Sequence, residues 1–115
     1  MRIPAAALCL ALLATSAGAE TIDAKAAATH IGQKVTVVGV LTNVHQSESK
    51  TIFLDVGGTF PDNAFTAVIF ARDAAKFSNL ASFVGKKIAI TGRIKTYGDK
   101  PEIVLSAPDH LKLVK

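Results

Sequence analysis

The residues whose types and spacing suit a binding chemistry lie between Lys87 and Leu105. Alternate side chains of an extended strand point to the same face, so Arg93, Lys95 and Tyr97 share one face. Cations neutralise phosphate and an aromatic ring stacks on a base, and single-stranded nucleic acid requires this combination. The spacing therefore predicts a surface that suits an oligonucleotide.

The same stretch predicts two strands joined by a tight turn. Isoleucines at 88, 90 and 94 fall on the face opposite the cations. Gly98-Asp99 supplies a turn, and a second apolar run follows Lys100-Pro101. The chain therefore forms a strand, a turn and a returning strand, with Lys100 at the turn.

Three further strands precede this hairpin, at 34–44, 51–56 and 65–70, where apolar runs are separated by polar or turn-rich connections. Gly39 stands inside the first of them, and a glycine there is typical of a bulge or sharp coil that lets one strand serve two sheets. Leu111 to Val114 is predicted to extend the fifth strand.

Two helical segments accompany the strands. Apolar residues at i, i+3, i+4 and i+7 from Phe77 predict one amphipathic helix over 73–84, capped by Asp73. A shorter capped helix is predicted around Ala24 to Ala28, ending near Gly32 and plugging one end of the fold.

This order of elements, three strands, a helix and two strands, fits few small architectures. The best fit is the OB-fold, an all-β fold with one or two short helices. It is a five-stranded Greek-key β-barrel with a helix between strands 3 and 4. A helix-capped open sheet is the main structural alternative.

The N-terminus has the order of a secretory signal peptide: Arg2, an apolar run over 3–14, and small residues at 17–19. Cleavage of 1–19 leaves one domain, 20–115, predicted to be periplasmic or secreted without a membrane anchor. Cys9 is the only cysteine and leaves with the leader, so no disulfide or thiolate chemistry is expected. Losing Arg2 lowers the net charge from +4 to +3, an excess that suits a polyanion or simple solubility equally well.

Three segments carry a resemblance to a known family. They are HIGQKVTV at 30–37 with Gly39-Val40, TIFLD at 51–55, and GRIKTYG at 92–98 with Pro101-Glu102-Ile103. They resemble the nucleic-acid-binding OB-fold domains of the anticodon-binding type, particularly short exported bacterial versions. The resemblance implies an OB-fold and binding of single-stranded nucleic acid. Exported bacterial OB-fold stress proteins share the topology and the leader, which implies a second kind of partner, a protein or small ligand of the envelope.

In an OB-fold the ligand face is formed by strands 2 and 3, flanked by the loops joining strands 1 to 2 and 4 to 5. Phe65 and Gln46 are minor candidates on this face and its loops. The predicted nucleic-acid-binding residues are Phe53, Arg93, Lys95, Tyr97, Lys100, His45 and Lys50.

Several of these residues have a second interpretation. Phe53 alternates with Ile52 and Leu54, so it faces either the core or the ligand, depending on the strand register. Phe60 suits either stacking or a lid over the barrel mouth, and Tyr97 suits either stacking or covering the turn. The lysines at 95 and 100 are also ordinary solvated surface residues.

Catalysis is not predicted. The histidines at 30, 45 and 110 lack metal-ligand spacing, the aspartates at 55, 62 and 99 lack the pattern of a calcium loop, and the serines at 47 and 49 lack an activating motif. A secreted nuclease family shares the OB barrel, but Arg72 and Arg93 have no acid cluster around them. We expect a non-enzymatic protein without metal or cofactor. Two hypotheses remain: sequence-tolerant binding of single-stranded DNA or RNA, and binding of a protein or small ligand in the envelope.

Overall fold

The computed structural model describes residues 19–115, so the predicted leader, with Cys9, lies outside the described residues except for Ala19. The α-helix is α1 (Ala71–Ala74), and the 3₁₀ segments are Ala24–His30, Leu80–Phe83 and Pro108–His110. None of the helices in 19–115 has the length and apolar character needed to cross a membrane. The strands are β1 (Glu20–Asp23), β2 (Lys34–Gln46), β3 (Ile52–Val56), β4 (Phe65–Ile69), β5 (Lys87–Arg93), β6 (Lys95–Tyr97), β7 (Lys100–Val104) and β8 (Leu111–Leu113).

The long strand β2 takes part in both halves of the sheet. Its residues 34–40 pair antiparallel with β5, and its residues 41–46 pair antiparallel with β3. The register with β3 shifts between Leu41 and Asn43, close to Gly39. The prediction that one glycine-containing strand serves two sheets is therefore confirmed.

Gly39 is also required by close packing. An added Cβ would lie 2.7 Å from the Cγ1 atom of Val56 and 3.0 Å from the Cβ atom of Ala24, both buried residues. A side chain at this position would separate β3 from the 3₁₀ helix that begins at Ala24. The absence of a side chain thus lets the N-terminal helix lie against the barrel.

The strands close into a barrel. Their order is β6-β7-β4-β3-β2-β5-β8, and β7 pairs parallel with β4 and antiparallel with β6. Only Ile94 separates β5 from β6, so one extended stretch connects the strand at one end of the order with the second strand from the other end. The fold is an all-β, OB-like barrel, as the sequence predicted.

Two strands lie outside the predicted set of pairings. β1 pairs parallel with the first half of β2, which the sequence pattern did not indicate. β8 pairs antiparallel with β5, from Ile88↔Leu113 to Ile90↔Leu111. The prediction that this segment extends the fifth strand is therefore wrong, because the chain turns at Pro108–His110 and adds to the other side of β5.

Alternate side chains of the strands form the core. Ile88, Ile90 and Ile94 are all buried, as their spacing predicted. Phe65 is only 1% exposed, so its candidacy as a ligand contact is wrong and it belongs to the core. Each such side chain stabilises the fold by about 1.5–3 kcal/mol through burial.

The predicted helix over 73–84 is not continuous. It is replaced by α1 and the separate 3₁₀ segment Leu80–Phe83, because Asn79 between them adopts a left-handed conformation with φ of 58°. Asp73 is not a cap; its buried carboxylate instead pairs with the Lys76 ammonium at 2.9 Å. Leu80 is buried, whereas Val84 is exposed. The apolar spacing identified core contacts correctly but not the helix that was expected to carry them.

The N-terminal helix matches its prediction more closely. The Asp23 carboxylate accepts a hydrogen bond of 2.9 Å from the Lys25 backbone amide at the start of Ala24–His30, a capping interaction. Ala24 and Ala27 are buried in the core. This short helix therefore covers one end of the barrel, and the outer face of β3, β4 and β7 lies elsewhere on the molecule.

Candidate functional site

The outer face of the barrel carries two rows of side chains that run across the strands. The first, which we call the polar row, consists of residues directly paired on neighbouring strands. Its members are Asn43, Asp55, Thr66, Glu102 and Lys95, in that order across the sheet. The second row consists of His45, Phe53, Val68 and Val104.

A groove of about 730 Å³ lies over this face. Three aromatic side chains line it: Phe53 on β3, Phe60 in the loop between β3 and β4, and Tyr97 at the end of β6. Phe60 is 66% exposed and Tyr97 75% exposed. Aromatic rings with accessible faces are platforms on which planar groups stack.

The register of β3 decides the orientation of Phe53. Ile52 and Leu54, on either side of it, are buried in the core, whereas Phe53 is half-buried and lines the groove. Of the two orientations that the sequence left open, Phe53 has the one that faces away from the core and into the groove.

His45 and Phe53 form a stacked pair. The two residues are directly paired across β2 and β3, with ring centroids 6.2 Å apart and ring planes inclined by 24°. An aromatic pair of this geometry contributes about 0.5–1.5 kcal/mol beyond the area that it buries. The pair therefore holds the Phe53 ring in a fixed position beside the groove.

The loop that carries Phe60 is fixed at several points. The Lys100 ammonium donates a hydrogen bond to the Pro61 carbonyl oxygen at 2.5 Å, which connects β7 to the loop. The buried Asn63 amide donates to the Thr66 hydroxyl oxygen at 2.7 Å and to the Phe65 carbonyl oxygen at 2.8 Å. The rim of the groove is thus attached to the strands that form its floor.

The floor of the groove is acidic. Asp55 and Glu102 line it with Thr66 between them in the polar row. Asp55 is 5% exposed, and its carboxylate makes no hydrogen bond or ion pair with another residue in 19–115. Burial raises the pKa of the Glu102 carboxyl above its ordinary value, and the positive charge of Lys95 opposes that shift.

Sequence reasoning missed this acidic floor. The sequence pattern suggested Asp55 only as a possible oxygen ligand for a metal, and it indicated no binding role for Glu102. The signal was available, since Asp55 follows Phe53 by two residues and Glu102 follows Lys100 by two, which places each on the same face as its neighbour. Within 19–115, no group of three or more histidine, cysteine, aspartate or glutamate side chains could hold a metal ion.

The structure brings four of the seven predicted binding residues together: His45, Phe53, Tyr97 and Lys100 line the groove. Lys95 is exposed and stands opposite Glu102 in the polar row.

The remaining two lie apart from the groove lining. Lys50 occupies the turn between β2 and β3, with a φ of 74°. The exposed Arg93 donates from its guanidinium to the Gly32 carbonyl oxygen at 2.5 Å, at the β5 end of the stretch. Gln46, the minor candidate, donates to the Lys50 carbonyl oxygen at 3.3 Å.

Fold and groove together define a small OB-like barrel domain whose outer face carries a groove lined by aromatic and acidic side chains. No family model matches the chain, and no curated protein matches it. Among solved structures, the chain is similar to one described as an aspartyl-tRNA synthetase from Leishmania major Friedlin, with a TM-score of 0.60 and 7% sequence identity. The match covers 85% of this chain and 21% of that chain, so this chain spans about a fifth of the length of its structural neighbour. At 7% sequence identity, this similarity shows that the two proteins share a fold and shows nothing more.

Proposed function

We propose that this protein is a non-enzymatic module that binds single-stranded nucleic acid in the groove, and that it acts in the periplasm or outside the cell. One observation carries the proposal: Phe53, Phe60 and Tyr97 line a single groove on the face that OB-folds use for oligonucleotides. The signal-peptide composition of 1–19 supports the location.

Stacking supplies most of the affinity in this proposal. A base that stacks on an exposed ring contributes about 1–3 kcal/mol, and it does so with little regard to which base it is. Tyr97 and Phe60 offer such faces without any rearrangement of the core, because both are exposed. The binding is therefore largely sequence-tolerant.

The phosphates follow the basic rim of the groove. Lys100 lines the groove and Lys95 is paired with the groove residue Glu102, whereas Arg93 is paired with Lys34, which does not line the groove. Two phosphate contacts to a single strand correspond to a log-log salt slope of about −1.4. The affinity is accordingly weak to moderate, and it depends on salt.

The groove's hydroxyl groups also support a non-catalytic role. They belong to Thr59, Thr66 and Tyr97, and within 19–115 none of these hydroxyls is hydrogen-bonded to a histidine or carboxylate side chain that could act as a base. A nucleophilic hydroxyl needs an adjacent base of that kind.

The structural neighbour adds limited support. Its description names an enzyme that acts on tRNA, and it shares the barrel with this chain over 85% of the chain's length. An OB-like barrel of this kind is thus found in a protein named for an RNA substrate.

A fluorescence-anisotropy titration tests the proposal. A labelled 15-residue oligothymidylate should bind the wild-type protein at 20 mM salt and lose about 25-fold in affinity at 200 mM salt. The double variant Lys95→Ala/Lys100→Ala should bind with a nearly flat salt dependence. Its affinity should also fall, but Lys100→Ala removes the hydrogen bond that holds the Phe60 loop, so the slope and not the affinity reports the phosphate contacts. The control variant Lys25→Ala/Lys112→Ala removes the same charge from exposed positions outside the groove and should behave as the wild type. The absence of binding at 20 mM salt, or equal slopes for both double variants, would refute the proposal.

The acidic floor favours a second candidate, the binding of a cationic protein segment or small cation of the cell envelope. Asp55 and Glu102 lie among aromatic rings, and carboxylates beside aromatic faces suit a positively charged group. This candidate would be preferred if a short arginine-rich peptide bound in the same assay and the oligonucleotide did not.

A further inference from the structure

The Asp55 carboxylate is the least explained polar group of the groove. It lines the groove from β3, between Asn43 and Thr66 in the polar row, and is 5% exposed. Within 19–115 it accepts no hydrogen bond and forms no ion pair. A carboxylate that has no donor within the protein can accept N–H groups from a ligand that reaches it in the groove.

The neighbours of Asp55 restrict what such a ligand can be. Thr66 is directly paired with it, and the Thr66 hydroxyl oxygen already accepts from the Asn63 amide, so its hydrogen is available to the groove. Glu102 adds a second carboxylate one strand further. The floor therefore presents several acceptors and one hydroxyl donor.

The same charges determine which part of a nucleic acid faces the floor. Phosphates are repelled by two carboxylates, so the backbone follows Lys95 and Lys100 at the rim and the bases point inward. Phe53 precedes Asp55 by two residues on one strand, which separates the two side chains by about 7 Å. A base next to Phe53 thus presents its polar edge near the Asp55 carboxylate.

Among the bases, guanine matches a carboxylate most closely. Its Watson–Crick edge carries two adjacent donors, N1–H and the N2 amino group, and a carboxylate has two acceptor oxygens. Thymine and uracil offer a single donor, N3–H, between two carbonyl oxygens that a carboxylate repels. We propose, on the basis of the proposed nucleic-acid function, that Asp55 gives one position of the groove a preference for guanine over thymine or uracil.

Three labelled 15-residue probes test this preference in the anisotropy assay: oligothymidylate, the same strand with one central guanine, and the same strand with one central inosine. The wild-type protein should bind the guanine probe at least about fivefold more tightly than it binds oligothymidylate. Inosine lacks the N2 amino group, so its probe should lie between the other two.

The variant Asp55→Asn replaces one acceptor oxygen by an amino donor. It should bind the guanine probe and oligothymidylate with about equal affinity. The charge-matched control Asp109→Asn changes an exposed residue outside the groove and should keep the preference. Thermal melting checks that each variant is folded, and the wild-type probe series decides the question if Asp55→Asn does not fold.

The outcomes distinguish the proposed guanine preference from the proposed binding of nucleic acid. Equal wild-type affinity for the three probes, or guanine and inosine probes that bind alike, would overturn the guanine preference and leave nucleic-acid binding intact. An unchanged preference in Asp55→Asn would overturn the role of that carboxylate. A wild-type protein that binds none of the probes at low salt overturns both proposals.

Discussion

Replacement of Tyr97 by alanine separates binding from stability in this protein. The side chain is 75% exposed, and all three residues of β6 are exposed, so removing the ring should change the free energy of unfolding by no more than about 0.5 kcal/mol. If one base stacks on this ring, the variant loses about 1–3 kcal/mol of binding free energy. That loss corresponds to a roughly 5-fold to 150-fold weaker affinity.

Anisotropy titrations at 20 mM and 200 mM salt measure the effect. The affinity of Tyr97→Ala should fall by a similar factor at both salt concentrations, because the ring carries no charge. Tyr97→Phe keeps the ring and should bind like the wild type, and Thr96→Ala, an exposed neighbour outside the groove lining, serves as the matched control. Wild-type affinity in Tyr97→Ala, or an equal loss in Thr96→Ala, would show that this ring is not a stacking platform.

Two further predictions concern stability. Gly39→Ala should lower the free energy of unfolding by about 1–3 kcal/mol in chemical denaturation, since its Cβ would lie 2.7 Å from the Val56 Cγ1 atom. The loss should be smaller in a Val56→Ala background, where that atom is absent. Equal losses in both backgrounds would contradict the clash. Glu102→Gln should be more stable than the wild type at neutral pH, because a raised carboxyl pKa means that the ionised form is disfavoured in the folded protein. That advantage should shrink as the pH falls from the raised pKa of the folded protein toward the ordinary value of 4.5, and it should vanish below 4.5, where the wild-type carboxyl is protonated in both states. A difference that is independent of pH in thermal melts would refute the assignment.

The barrel strands were predictable because their pattern depends on local alternation. Ile88, Ile90 and Ile94 are buried as expected, and β2, with its internal glycine, spans both halves of the sheet. β1 was not predicted and the segment of β8 was assigned to the wrong strand, since both are short and their pairing depends on which strand edges remain open after the barrel has closed. No local pattern carries that information.

The prediction of a continuous helix over 73–84 was wrong for a different reason. Its apolar residues are spaced as in a helix, but a sequence pattern cannot distinguish one continuous helix from two short turns that bury the same residues. Phe77 packs against the core and Leu80 is buried, yet Asn79 between them is left-handed. Asparagine tolerates this conformation better than most residues do. Asn79 was therefore the one signal in the sequence that the predicted helix is interrupted.

The candidate site was partly predictable for a related reason. The residue types and the OB topology indicated His45, Phe53, Tyr97 and Lys100, which line one groove. The sequence could not show that Phe53 and the carboxylates of the floor face the groove, because this depends on the strand register. A shift of one residue in the register moves every side chain to the other face. The position of Arg93 depends on a contact with Gly32, which is 61 residues away in sequence.

The most direct test of the central claim is an amide chemical-shift titration of isotope-labelled protein with a short unlabelled single strand. If the groove on the face of β3, β4 and β7 binds nucleic acid, the amides of Asp55, Thr66, Tyr97 and Glu102 should shift in proportion to occupancy. Those of Ala89 and Lys112, on β5 and β8, should remain unchanged. Shifts concentrated on β5 and β8, or no shifts at millimolar oligonucleotide, would contradict the account.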